Sequence, residues 1–157
     1  DHRTVGHERR TLAQFPRAAA VQVLTMIFHV RPAQLQAWFA QVAASSNSGN
    51  SSSGAASGAA PLTPPIPLVL DVREPWELQT ASIHAQGFET LAVPMRSIPE
   101  QVAALDRQRP IACLCHHGMR SQQVAAFLEH HGFEHVANIT GGINAWSLEL
   151  DASVPQY

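Results

Sequence analysis

Ile111-Ala112-Cys113-Leu114-Cys115-His116-His117-Gly118-Met119-Arg120-Ser121 is the stretch on which the reading of this chain turns. It begins as a strand and ends as the start of a helix. Ile111 to Cys115 is a short apolar run after Pro110, the composition of a buried parallel strand. Gln122 to His131 reads as an amphipathic helix, with Val124, Phe127 and Leu128 on one face and Gly132 as its stop. Between them lies a tight loop with Cys115 at its start and Arg120 at its end. A cysteine at the carboxyl end of a buried strand, feeding a helix, sits where open α/β sheets bind their ligands. Loop amides and the first helical turn then supply a partial positive charge suited to a thiolate or an anion.

Two further stretches extend the pattern. Leu70-Asp71-Val72-Arg73-Glu74-Pro75-Trp76-Glu77 follows a second apolar run, and Ile139-Thr140-Gly141-Gly142-Ile143-Asn144-Ala145-Trp146 follows a third. Together with Cys-x-x-Gly-x-Arg-Ser, in this order, they resemble the motifs of the rhodanese family of sulfurtransferases. The resemblance covers Leu68 to about Leu150. The Cys-His-His-Gly-Met-Arg-Ser loop and the ending Val154-Pro155-Gln156-Tyr157 are similar to a bacterial single-domain branch of that family. One segment departs from the pattern. Ser82, in Ala81-Ser82-Ile83-His84-Ala85-Gln86-Gly87, stands where the family has a histidine, so no role for that histidine transfers.

The whole chain fits one domain. It has 157 residues, 45% of them hydrophobic, enough for a packed core. A net charge of -2 and a pI near 6.5 point to neither nucleic acid nor a membrane as partner. All ten basic residues are arginine, which reads as genome composition. The two cysteines, Cys113 and Cys115, lie on one face of a strand and are too close along it to form a good disulfide. Their use favours a reducing compartment, and the expected location is cytoplasmic.

Along the chain, residues 1–26 read as a poorly structured extension or upstream segment. Arg9-Arg10 ahead of the apolar run from Ala18 to Phe28 has some look of an export signal, but the run falls short of the roughly 18 residues a span needs. The domain is placed at 27–157, opening with a short strand at Met26 to Val30 and a helix begun by Pro32. A low-complexity insertion of Ser, Gly, Asn, Ala and Pro is expected at about 44–67, flexible by composition. A strand at Leu68 to Asp71, a helical turn from Pro75 to Gln79, and a strand from Thr90 to Val93 follow. Ser97-Ile98-Pro99-Glu100 reads as a capping box opening a helix to about Arg107. His135 to Ile139 is the last strand, and Ile143 to Leu150 the last helix, with Trp146 turned inward. The alternation implies an α/β, doubly wound, mostly parallel sheet of about five strands with helices on both faces, as the resemblance does.

For the site, Cys115 is the expected nucleophile. Thiolate is the reactive form of cysteine, and helix N-terminal amides with a nearby cation favour it. Cys113, one pleat back, is expected to be buried and inert. Arg120 has two open readings: it holds the anionic end of a substrate, or it braces the loop through its carbonyls. Gly118 supplies a backbone shape that a side chain would hinder. Ser121 caps or begins the helix and makes a secondary contact to sulfur. His116 and His117 line the mouth, as tuning groups or as plain solvent-facing residues. With Met119, the residues from His116 to Ser121 form the expected substrate-binding set. Asp71 and Arg73 are expected to form a structural ion pair near the site. His84, His130, His131 and His135 carry no expected role.

What the resemblance implies is a two-step sulfur transfer. Cys115 takes the outer sulfur of thiosulfate or another sulfane donor as a persulfide, then gives it to cyanide, a thiol or a protein cysteine. No cofactor and no metal are needed, and the partners are a small sulfur donor and a thiol or protein acceptor. Three other readings compete with it. A cysteine phosphatase or arsenate reductase uses Cys-x5-Arg, whereas Cys115 and Arg120 enclose four residues. A metal site would draw on Cys113, Cys115, His116 and His117, but zinc sites space their cysteines differently, and adjacent histidines are expected to splay apart. A non-catalytic module of the same family would be expected to lack Cys115.

Overall fold

Period-two alternation with both phases apolar is what turns these runs into a sheet covered on two sides. In the computed structural model, which describes residues 27–47 and 65–157, five strands form one wholly parallel sheet. They are β1 (Phe28–Val30), β2 (Leu68–Asp71), β3 (Glu89–Ala92), β4 (Ile111–Leu114) and β5 (Val136–Ile139), in the spatial order β1-β5-β4-β2-β3. Five α-helices, Leu35–Asn47 (α1), Pro75–Thr80 (α2), Ile98–Gln101 (α3), Met119–His130 (α4) and Gly142–Glu149 (α5), connect or follow them.

Val69, Ala112, Leu114, Ala137 and Ile139 face one layer, where Leu35, Trp38, Phe39 and Val42 of α1 and Ile143 and Trp146 of α5 pack. Leu68, Leu70, Val72, Ile111, Cys113 and Cys115 face the other, against Val124, Ala125 and Leu128 of α4 and Ile98 of α3. Both cysteines therefore share a face, as their spacing requires, and both are free. The doubly wound α/β architecture expected from the sequence is the one observed.

The topology fixes where a site can form. After β2 the chain moves outward to β3; after β4 it moves the other way, to β5. The loops leaving β2 and β4 thus part at the sheet's switch point, and their carboxyl ends frame a crevice. Leu70 pairs with Cys113 and Asp71 with Leu114, so Asp71 and Cys115 emerge side by side.

Several boundaries differ from expectation. α1 continues through Asn47, taking the first residues of the stretch read as insertion. Ser45 and Ser46 lie within it, with their hydroxyls turned back onto the Gln41 and Val42 carbonyls at 2.9 and 3.1 Å rather than competing for amides outside the helix. Residues 48–64 of the insertion, and the extension 1–26, lie outside the described residues. β3 covers Glu89–Ala92, one residue earlier than read. The capping box is not formed. Ser97 closes a 3₁₀ turn (Met95–Ser97) with helical φ -90° and ψ -7°, and it makes no side-chain cap bond. A capping side chain needs an extended backbone to reach the first-turn amides. α3 is accordingly a single turn, followed by a 3₁₀ turn (Val102–Ala104) rather than a helix to Arg107.

Candidate active site

β4 delivers Cys115 to the crevice. The residue is 1% exposed and lies one step past the strand. The chain then turns back through His116, His117 and Gly118 into α4. Gly118 stands at the helix N-cap with φ +102°, a conformation side chains rarely adopt; a Cβ there would also press to 3.2 Å from the Gly141 nitrogen. This turn aims the Gly118 N–H at Cys115 Sγ, 3.0 Å away.

The loop's carbonyls are drawn off to the opposite side. Ile143 N–H, at the start of α5, donates to the Cys115 carbonyl at 2.8 Å, and Asn144 N–H to that of His116 at 3.2 Å. The Gly141-Gly142 pair makes this approach possible, with φ of +78° and +60°. Two helix N-termini thus meet at the loop: α5 satisfies its oxygens, and α4 presents its positive end to the sulfur.

Ser121 is not the cap. It is the third residue of α4, wholly buried, and its Oγ lies 3.2 Å from Cys115 Sγ and 2.6 Å from Asn138 Oδ1. Asn138 Nδ2 in turn donates to the Gly118 carbonyl at 3.3 Å. Asn138, facing Cys113 across β4–β5, is a site residue that the sequence reading missed. A lone asparagine amid an apolar strand was the available signal.

Arg120 has a carboxylate partner that neither reading named. Its guanidinium forks onto both carboxylate oxygens of Glu77, at 2.7 Å each, while about 35% of its side chain stays exposed. Glu77 is 4% exposed and also accepts the Glu74 N–H at 2.8 Å. Arg120 holds the Glu77 carboxyl down to about 2, with the Glu74 amide and the Tyr157 hydroxyl helping against the opposing effect of burial. The same pairing raises Arg120 above its ordinary range. Glu77 entered the sequence reading only as the end of a motif. Its place, in the first turn of a Pro-started helix one loop away from Arg120, could be read only once the strand order was known.

Asp71 and Arg73 form the ion pair expected. Arg73, with no exposed surface, donates from Nε to Asp71 Oδ1 at 2.9 Å and from Nη2 to Oδ2 at 2.7 Å. The two ion pairs are bridged. Tyr157 Oη donates to Glu77 Oε1 at 3.0 Å and accepts from Arg73 Nη1 at 3.1 Å.

The adjacent histidines do not splay. His116 stacks on His117 with ring centroids 3.8 Å apart, and on Tyr157 at 3.9 Å and 7° between planes. Neutral rings stack more readily than charged ones. Burial, then the neighbouring His117, holds His116 below the usual histidine range. His117 and Met119 are exposed at the mouth. Burial pushes the Cys113 thiol far up, which fits an inert core residue. Among the described residues, no group of three or more His, Cys, Asp and Glu side chains is placed to hold a metal, and no helix is long and apolar enough to cross a membrane.

Fold and site together define an open parallel α/β domain with a buried cysteine in a helix-framed loop at the switch point. The chain belongs to the family of rhodanese-like domains, whose model matches residues 55–149. It is 35% identical over 82 residues to a sulfurtransferase of Allochromatium vinosum, covering 51% of this chain and 71% of that protein. It is 34% identical over 79 residues to the thiosulfate sulfurtransferase GlpE of Stutzerimonas stutzeri, covering 50% and 69%. With the chloroplastic rhodanese-like/PpiC domain-containing protein 12 of Arabidopsis thaliana it shares 42% identity over 93 residues, 57% of this chain but only 30% of that longer protein. A rhodanese-like domain protein from Staphylococcus aureus shares the fold, with a TM-score of 0.54 at 20% identity over 83% of this chain and 99% of that one.

Proposed function

We propose that this chain is a sulfurtransferase that moves sulfane sulfur from thiosulfate, or a related donor, to a thiophilic acceptor through a persulfide on Cys115. The observation that carries this reading is the sulfur's environment. Cys115 Sγ is buried at the switch point, with the Gly118 amide and the Ser121 hydroxyl within 3.0 and 3.2 Å. Donors at these positions stabilise negative charge on sulfur, first on the thiolate and then on the persulfide.

Cys115 thiolate attacks the outer sulfur of thiosulfate. A sulfur–sulfur bond forms, the bond to the sulfonate sulfur breaks, and sulfite leaves with its electron pair. In the second step a nucleophilic acceptor attacks the terminal sulfur of the persulfide. Cyanide leaves as thiocyanate, a thiolate as a new persulfide, and Cys115 returns as thiolate. Ser121 has one hydroxyl proton and two acceptors, Cys115 Sγ and Asn138 Oδ1. It serves the sulfur when the charge is there. No step draws on a cofactor.

The arginine geometry supports sulfur over phosphate. A phosphoryl group needs an arginine fork on its oxygens. Here the Arg120 fork engages Glu77, and the loop is one residue shorter than a Cys-x5-Arg ring. The test is to incubate the protein with thiosulfate and cyanide, and separately with an aryl phosphate. Thiocyanate formation with little phosphate release is expected; faster phosphate release would overturn the reading.

A further inference from the structure

We propose that Tyr157 is a positioning residue for the Cys115 loop, acting through the ring of His116. The proposal rests on the sulfur-transfer reading of the site but adds a residue outside the loop to it. Tyr157 lies 42 positions from Cys115 in sequence, and none of its contacts is with the sulfur.

Three observations converge. The first is the stack: the Tyr157 and His116 planes differ by 7° with centroids 3.9 Å apart, and His117 stacks on His116 as well, so His116 is the middle ring of three. The second is anchoring. The Tyr157 hydroxyl joins both ion pairs, donating to Glu77 and accepting from Arg73, and Trp76 meets its ring edge-on at 6.2 Å. The third is that the ring's remaining tether also comes from Tyr157, whose backbone acts on the imidazole as well. Its Nε2 is buried without a hydrogen-bond partner, while its carbonyl is held by the Asn144 amide. The ring is thus held by stacking and by the Tyr157 backbone.

His116 directly follows the nucleophile. Its backbone is clamped on the carbonyl side by α5 and its ring is clamped by Tyr157, so the peptide between Cys115 and His116 is held at both ends. Release the ring, and the residue can rotate about its side-chain bonds and let the loop relax. The Gly118 amide then no longer sits reliably on the sulfur. Displacement of about 1 Å at a reacting atom is enough to slow chemistry severely. The flat ring carries this role. The hydroxyl is secondary, because Glu77 keeps Arg120 and Arg73 keeps Asp71 and the Glu77 carbonyl without it.

The test is a double-mutant cycle with Tyr157→Leu, His116→Ala and the pair, with Tyr157→Phe as the conservative control. Two rates are read: persulfide formation from saturating thiosulfate, and alkylation of Cys115 by iodoacetamide. Tyr157→Leu should lower the saturated rate about tenfold or more with little change in KM, and Tyr157→Phe should stay within about threefold of wild type. In the His116→Ala background, Tyr157→Leu should cost nothing further. An equal loss in both backgrounds, or a Tyr157→Phe defect as deep as that of Tyr157→Leu, would overturn the proposal. Should Tyr157→Leu not fold, His116→Ala must itself lower the saturated rate while Tyr157→Phe does not. Alkylation needs no sulfur donor. A wild-type protein that alkylates but takes up no sulfur would refute the sulfur-transfer reading, and the alkylation cycle would still decide the role of Tyr157.

Discussion

Gly142 lies so close to Cys115 that a Cβ on it would stand 2.4 Å from the Cys115 carbonyl oxygen, and 2.4 Å from that of His116. Both atoms are backbone, and both accept hydrogen bonds from the next two amides of α5. The second glycine of the Gly-Gly pair is therefore what lets α5 hold the nucleophile's loop.

Gly142→Ala is predicted to separate α5 from the loop. It adds a backbone clash to the strain of φ +60°, and should destabilise the fold by about 3 kcal/mol or more and abolish most sulfur transfer. Gly87→Ala is the control. Gly87 also has positive φ, +72°, but the nearest atom to its Cβ would be Gln36 Oε1 at 3.9 Å. Only the conformational penalty applies there, about 1 kcal/mol. Denaturant unfolding of the two variants checks the contrast.

Glu77→Gln leaves Arg120 without its counter-charge and weakens the bonds from Tyr157 and Glu74. A destabilisation of about 1–3 kcal/mol is expected, below that of a fully buried pair because about 35% of the Arg120 side chain remains in water. The pH dependence has a definite sign. The folded Glu77 carboxyl titrates at about 2 against an ordinary 4.5, so its contribution is complete above 4.5 and is lost as pH falls toward 2. Wild-type stability should fall across that window more steeply than that of Glu77→Gln. Urea titrations at a series of acidic pH values would show it; parallel curves would contradict the prediction.

Ser121→Ala removes one of the two donors on Cys115 Sγ and leaves the Gly118 amide in place. The saturated rate of persulfide formation should drop about 10- to 100-fold. Asn138 Oδ1 also loses its partner in this variant, so a modest fall in stability accompanies the loss. A rate unchanged by Ser121→Ala would place the stabilising donors elsewhere.

Much of this was legible in the sequence, and the limits have physical causes. The strand–loop–helix around Cys115 could be read because apolar runs, Gly118 and the helix pattern all lie within a few residues of one another. The Asp71–Arg73 pair could be read for the same reason. What escaped were contacts set by strand order and by chain returns. Glu77 reaches Arg120 across 43 positions, Asn138 reaches Ser121 across 17, and Tyr157 reaches Glu77 across 80. The capping box at Ser97 failed for a local reason: a 3₁₀ turn already under way gave Ser97 a helical backbone. Arg120 stands out in the sequence but its partner Glu77 does not, since no local pattern shows which carboxylate a folded neighbour supplies.

The most direct test of the central claim is the mass of the protein after thiosulfate treatment, read at the level of the peptide carrying both cysteines. The account predicts a gain of one sulfur atom at Cys115, removable by cyanide, retained in Cys113→Ala and absent in Cys115→Ser. A gain that persists in Cys115→Ser, or a wild-type protein that takes up no sulfur while folded, would contradict it.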